Sequence, residues 1–223
     1  MFSPLGRFDV SLPVSPAMLA AVRTLTAQLP DVPKGDLTRV YLHWSVAKPC
    51  AQFPDYNIMV NFADGHYTYH VSHDLKDNAR STFAASYATH TYHRNRGAVG
   101  ICLGGMDGAT EQNYGPDPIT LTGLDFLCAA AAAVCKKYDI DASGLSADKE
   151  SYDNEHTILT HAEAAMLVGN PPQYSDYGIS GDSERWDLAS FVPLPSGVAL
   201  TPAMARSCGD ALRARIHALK VAL

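Results

Sequence analysis

The sequence predicts an α/β fold: a single-domain, central mixed β-sheet flanked by helices. Three observations carry that expectation. Elements follow the order helix, strands, helix, strand, helix, which one sheet with helices packed on it satisfies. An Asp64-Gly65 pair sits between two runs of β-forming residues, the signal of a tight hairpin. Apolar residues make up 47% of the 223, normal for a globular chain and too many for disorder throughout.

Each element has a local reason. Ser15 followed by Pro16 combines a capping hydroxyl with proline at the first helical position. The helix it opens runs to about Leu29, with Met18, Leu19, Val22, Leu25 and Leu29 on one face and Pro30 and Pro33 beyond. Residues 38–44 alternate β-formers and read as a strand ending at His43-Trp44. Residues 56–62 and 66–71 form the hairpin, and 98–103 a short apolar strand inside the sheet. Thr120 caps a helix over 121–138, whose Lys136 and Lys137 complement the dipole at its C-terminus. Residues 157–161 give one more short strand, again ending in a histidine, and 169–183 a long loop. Thr201-Pro202 repeats the cap-plus-proline start, and the last helix runs to about Lys220. The division expected is an N-terminal helical extension over 1–37, a core over 38–195, and an amphipathic helix over 196–223 packed on or beside that core.

Composition narrows the function classes. Lys plus Arg total 17 against 23 for Asp plus Glu, a net charge of −6 that argues against wrapping nucleic acid. No apolar run is long enough to span a membrane as a helix. The start, Met1 to Arg7, lacks a signal peptide's basic and apolar regions, so synthesis in the cytoplasm is expected. Five cysteines without a CxxC pair fit reduced, mostly core-filling thiols. The last helix sets Arg206, Arg213, Arg215, His217 and Lys220 against one acid, Asp210. Its basic side reads either as a solvated face or as a weak contact with an anionic cell envelope.

Nine histidines are the chemical anomaly, and His43 and His161 sit where a scaffold can aim side chains into one cleft. Spacing alone leaves them open between structural residues and ligands, since there is no HExxH helix and no zinc pattern of cysteines. His66 and His70 share one face of the hairpin, with His73 just after it, and could mimic a metal pair.

Several segments, taken together and in order, resemble zinc-dependent N-acetylmuramoyl-L-alanine amidases: bacterial type 2 amidases, phage lysozyme-type amidases and peptidoglycan recognition proteins. His43-Trp44-Ser45 resembles the family's opening histidine motif, and Tyr56 to Gly65 its tyrosine-led hairpin. His90, then Asn95-Arg96-Gly97 and the strand to Gly105, is similar to its most recognisable segment. Thr120 with its helix, Leu159 to Glu163, and Arg185-Trp186-Asp187 follow in the family's order. The resemblance covers about residues 38–190.

The resemblance implies Zn²⁺ held by His43, His161 and Asp187, with a fourth position for water, the arrangement of a catalytic zinc. It implies catalytic roles for Tyr56, facing the metal, and for Arg185, steadying an oxyanion. It places His90, His93 and Asn95 along the substrate groove, and Glu163 beside a ligand histidine. The activity implied is cleavage of the amide between N-acetylmuramic acid and L-alanine in peptidoglycan, by a monomeric phage or prophage endolysin acting on the wall. The alternatives are a non-catalytic peptidoglycan-binding module and an intracellular amidase that recycles muropeptides. The chain departs from the pattern at Asn57, Cys102, Thr160 and Leu188-Ala189. The connection 162–186 is also longer than the family's, which leaves Asp176, Asp182 and Glu184 open as substitutes for Asp187.

Overall fold

Ser15 starts the first helix as its hydroxyl suggests: Oγ accepts the Met18 N–H at 3.1 Å, and α1 spans Pro16–Gln28. Leu29 leaves the helix with extended backbone because Pro30 disfavours helical geometry in the residue before it. These positions come from a computed structural model, which describes residues 13–91, 94–143, 156–168 and 186–223.

Five strands build the sheet: β1 (Arg39–Trp44), β2 (Ile58–Ala63), β3 (His66–Val71), β4 (Ala98–Leu103) and β5 (Ile158–Thr160). Their spatial order is β3-β2-β4-β1-β5. Among the described residues β2 and β3 pair antiparallel and the other neighbours pair parallel, so the sheet is mixed. Asp64 and Gly65 both take positive φ, 52° and 81°, as a two-residue hairpin turn requires. All six residues of β4 are buried, in keeping with its central place.

Strand alternation divides the side chains between two faces. Val40, Leu42 and Trp44 of β1 and Val99, Ile101 and Leu103 of β4 join the main core with α1, α2 (Leu121–Tyr138) and the final helix. Tyr41 and His43 point the other way, with Gly100 and Cys102 of β4 in register beside them and Ala98 packed against Tyr41. The three long helices therefore pack on one face of the sheet, while Tyr41 and His43 lie on the other. Thr120 caps α2, accepting from Gly123 N–H, and Asp139 ends it in the left-handed conformation. Its alanine run, Ala129 to Ala133, is buried and lets neighbouring elements approach closely.

Between β5 and the last helix, a single helical turn, α3 (His161–Glu163), continues into a π-helical stretch, Ala164–Val168. The last helix, α4 (Pro202–Ala222), packs Cys208, Leu212, Ile216 and Leu219 into the main core. The expected basic side of this helix is corrected by the structure. Arg213 and Arg215 are 4% and 2% exposed. Arg213 forms a two-pronged pair with Glu163 and also reaches Asp210; Arg215 pairs with Asp125 of α2. Lys220 Nζ donates to the Ile140 carbonyl. Most of the positive charge on α4 thus anchors the helix inward. No helix among the described residues is long and apolar enough to cross a membrane.

Candidate metal centre

Three buried side chains from distant parts of the sequence converge on the free face of the sheet. His43 lies near the end of β1, His161 opens α3, and Asp187 sits in a turn before the final segment. His43 Nδ1 and His161 Nδ1 are 3.0 Å apart. Asp187 Oδ2 lies 3.2 Å from His161 Nδ1 and 3.7 Å from His43 Nδ1. The residues are 0%, 5% and 4% exposed. These ligand atoms form a group that could hold a metal ion.

The triangle passes a simple test of fit. Metal–ligand distances of about 2.0–2.1 Å in a tetrahedral site put ligand atoms about 3.3 Å apart. The observed edges of 3.0, 3.2 and 3.7 Å fall on either side of that value. Burial alone would raise the Asp187 carboxyl, but the charges and hydrogen bonds of His161 and His43 outweigh it. They hold the group well below the usual carboxylate range, so it is an anion at neutral pH.

The local sequence explains why each group is held. Thr160 and Glu163 form a reciprocal capping box: Thr160 Oγ1 accepts the Glu163 N–H, and Glu163 Oε2 accepts the Thr160 N–H. That cap fixes the turn carrying His161, and it accounts for threonine at 160. Glu163 thus positions His161 through the backbone of its turn. Ala162 N–H donates to the Asp187 carbonyl at 3.1 Å, tying the aspartate's turn directly to α3. Within that turn, Leu188 adopts φ 66° while fully buried, a strained conformation for a leucine. Trp186 stacks edge-on against Trp44 at 4.7 Å, beside the two ligand-bearing positions.

Tyr56, half-buried, places its ring 5.1 Å from that of His43, consistent with a group at the rim of the site. Cys102 stands beside His43 across the β1–β4 register and is fully buried. Burial and the Asp187 charge push its thiol up, against a smaller effect from Tyr56, so Cys102 stays protonated. It is a packed strand residue.

His90 departs from its expected place along a substrate groove. The residue is 5% exposed and packs against Gly100, where a Cβ would come within 2.3 Å of the His90 Cγ. Burial, with His43 and His161 nearby, pushes this imidazole down, which keeps it neutral. Asn95 is also largely buried: its Oδ1 accepts the Thr91 N–H at 2.7 Å and its carbonyl accepts from Asn78. Its residue also lines an open cavity of about 540 Å³ with Phe83, Tyr87 and Arg96. His93, Arg185, Asp176, Asp182 and Glu184 lie outside the described residues. His66 and His70 occupy exposed positions of the edge strand β3.

Sequence reasoning missed Thr91, Asn78 and Gly100. Thr91 Oγ1 lies 2.9 Å from His90 Nδ1 and 3.4 Å from His43 Nε2. Asn78 saturates its amide on Asn57, Ala88 and Asn95. The departure at Asn57 was the available signal: its Nδ2 donates to Asn78 and its Oδ1 accepts from Gly100, a buried clamp. No family model, curated protein or solved structure matches the chain.

Proposed function

We propose that the chain is a zinc-dependent amidase that hydrolyses the bond between N-acetylmuramic acid and L-alanine in peptidoglycan. The observation that supports it best is the closed triangle of His43, His161 and Asp187, whose donor set suits a catalytic zinc. The ordered resemblance over residues 38–190 supplies the substrate class. Zinc bound there would acidify a water and polarise the amide carbonyl.

The chain's own residues divide the remaining work. Asp187, held as an anion in a buried setting, would offset the charge of a bound cation. His43 and His161 present Nδ1 lone pairs from rigid elements, a strand and a capped helical turn. Tyr56, whose ring lies beside that of His43, is the group the resemblance assigns to hydrogen-bond the amide oxygen as it gains negative charge. Arg185, two residues before Asp187, is the cation assigned to the same oxyanion by the resemblance. A phage or prophage endolysin is the setting in which a compact chain of this kind acts on the wall.

The test is turbidity loss of purified cell walls, with release of new amino termini, before and after chelation. Lysis that a chelator abolishes and zinc restores is expected. Tight wall binding with no new amino termini at any metal concentration would identify a binding module, and turnover of soluble muropeptides alone a recycling enzyme.

A further inference from the structure

We propose that the cavity beside the 79–88 loop binds a neutral saccharide, stacked on the side chains of Phe83 and Tyr87. The site is apart from the metal centre, because none of His43, His161 and Asp187 lines the cavity. It therefore stands without the metal-site reading.

The chain builds this loop as a fixed support. Asn78 closes its base, donating to the Ala88 carbonyl at 3.0 Å and accepting the Ala88 N–H at 3.1 Å. Near the loop's start, the Asp36 carbonyl accepts the Arg80 N–H and the Asp36 carboxylate the Ser81 N–H, at 3.1 and 3.2 Å. Phe83 is 86% exposed, more than any other large apolar residue described. Its ring is still held in place: the Arg96 guanidinium lies 4.7 Å from the ring centroid. Arg96 is in turn anchored on the Arg80 carbonyl through Nε and Nη2. One face of the Phe83 ring is thus covered by a fixed cation and the rest is open. Tyr87, 47% exposed, is the second aromatic on the cavity.

The lining selects the ligand class. A volume of about 540 Å³ falls within the range of about 300–1,000 Å³ typical of small-molecule sites. Asp77 and Arg96 bring opposite charges to one cavity, which disfavours a ligand that is all cation or all anion. A wholly apolar ligand is disfavoured too. Asn95 lines the cavity although nine-tenths buried, and its Nδ2 has no hydrogen-bond partner among the described residues, so apolar cover would strand a donor. A neutral molecule with an apolar face and many hydroxyls meets all of these conditions. A pyranose ring is such a molecule: its C–H face stacks on an aromatic ring, while its hydroxyls both donate and accept. Phe83 and Tyr87 supply the stacking surface, Asn95 a donor and Asp77 an acceptor. An extended peptide is less well suited, since it draws on pairing with a sheet edge and no strand residue lines this cavity.

The experiment titrates the full ¹⁵N-labelled chain with tri-N-acetylchitotriose and with cellotriose, each with added Zn²⁺ and with chelator. The amides of the 79–88 loop, Asn95 and Arg96 should shift in both metal conditions. A response to both sugars assigns recognition to the pyranose face, and a response to the acetylated sugar alone adds its acetamido group to what is read. Phe83→Ala and Phe83→Leu should each weaken binding about tenfold or more, while Phe83→Trp should keep it. The exposure of Phe83 leaves the fold of these variants intact, and the shift map of the native chain decides the site if one fails to fold. No binding of either sugar by the native chain would overturn the inference, as would Phe83→Leu binding as tightly as the native chain. Sugar binding that disappears with chelator would move the ligand to the metal centre and overturn it as well. An isolated wall stem peptide that shifts the loop where neither sugar does would make the cavity a peptide site instead. Should the chain bind no zinc, the metal reading fails alone, and the loop shifts still decide this site.

Discussion

On the proposed zinc amidase function, His161→Ala and His43→Ala are each expected to abolish stoichiometric zinc retention and to lower turnover by about a thousandfold or more. A loss of that size is roughly 4 kcal/mol of transition-state stabilisation, within the several kcal/mol a Lewis-acidic metal supplies. The geometry gives the reason for a loss in both variants. With either ring removed, Asp187 keeps a single nitrogen neighbour, at 3.2 Å or 3.7 Å, and a triangle becomes a pair. The fold should survive, because α3 keeps its capping box and β1 its pairing to β4 and β5. Metal content after dialysis and wall turbidity check the effect, with circular dichroism as the control. Full activity in either variant would remove the metal mechanism.

The largest effect on stability is expected at Glu163. Its carboxylate is fully buried and binds Arg213 through two hydrogen bonds of 2.8 and 3.0 Å. Glu163→Ala removes the fully buried carboxylate from the Arg213 guanidinium, whose other contacts include Asp210 and the Ile158 carbonyl. Breaking a buried pair on one side costs about 3–5 kcal/mol, and the retained contact with the more exposed Asp210 offsets only part of it. The same change removes half of the Thr160 capping box. For a domain of this length the melting temperature should fall by roughly 10 °C. Removing both charges, as Glu163→Ala with Arg213→Met, should recover much of the loss, because a well-packed apolar pair replaces a buried ion pair at little cost. Thermal unfolding of the three variants measures this. A single Glu163→Ala change that leaves the melting temperature in place would show that the pair does not hold α4 to α3.

Much of the fold was legible because its signals are local. Ser15-Pro16, Thr120 and Thr201-Pro202 each carry a hydroxyl that accepts an N–H within three residues, and all three helices start there. Asp64-Gly65 fixes its hairpin through the φ values its own residues tolerate. The His43 and His161 positions were readable because strand ends could be located, but convergence with Asp187 came from the family likeness, not from spacing. What stayed hidden depends on partners far away in sequence. The helical period of α4 marks Leu212 and Ile216 as core but is silent on whether Arg213 and Arg215 point to solvent. Their acids lie 50 and 90 positions away, on α3 and α2. His90 was read as a groove residue because nothing local reveals that Gly100 leaves room beneath its ring. Thr91 carries no motif at all; only the fold brings its hydroxyl to His43.

The most direct measurement is anomalous diffraction at the zinc absorption edge from crystals of the native chain grown with zinc. A single strong peak should lie about 2.0–2.1 Å from His43 Nδ1, His161 Nδ1 and one Asp187 oxygen. Its absence there, or a peak held by other side chains while these three remain hydrogen-bonded to one another, would contradict the account.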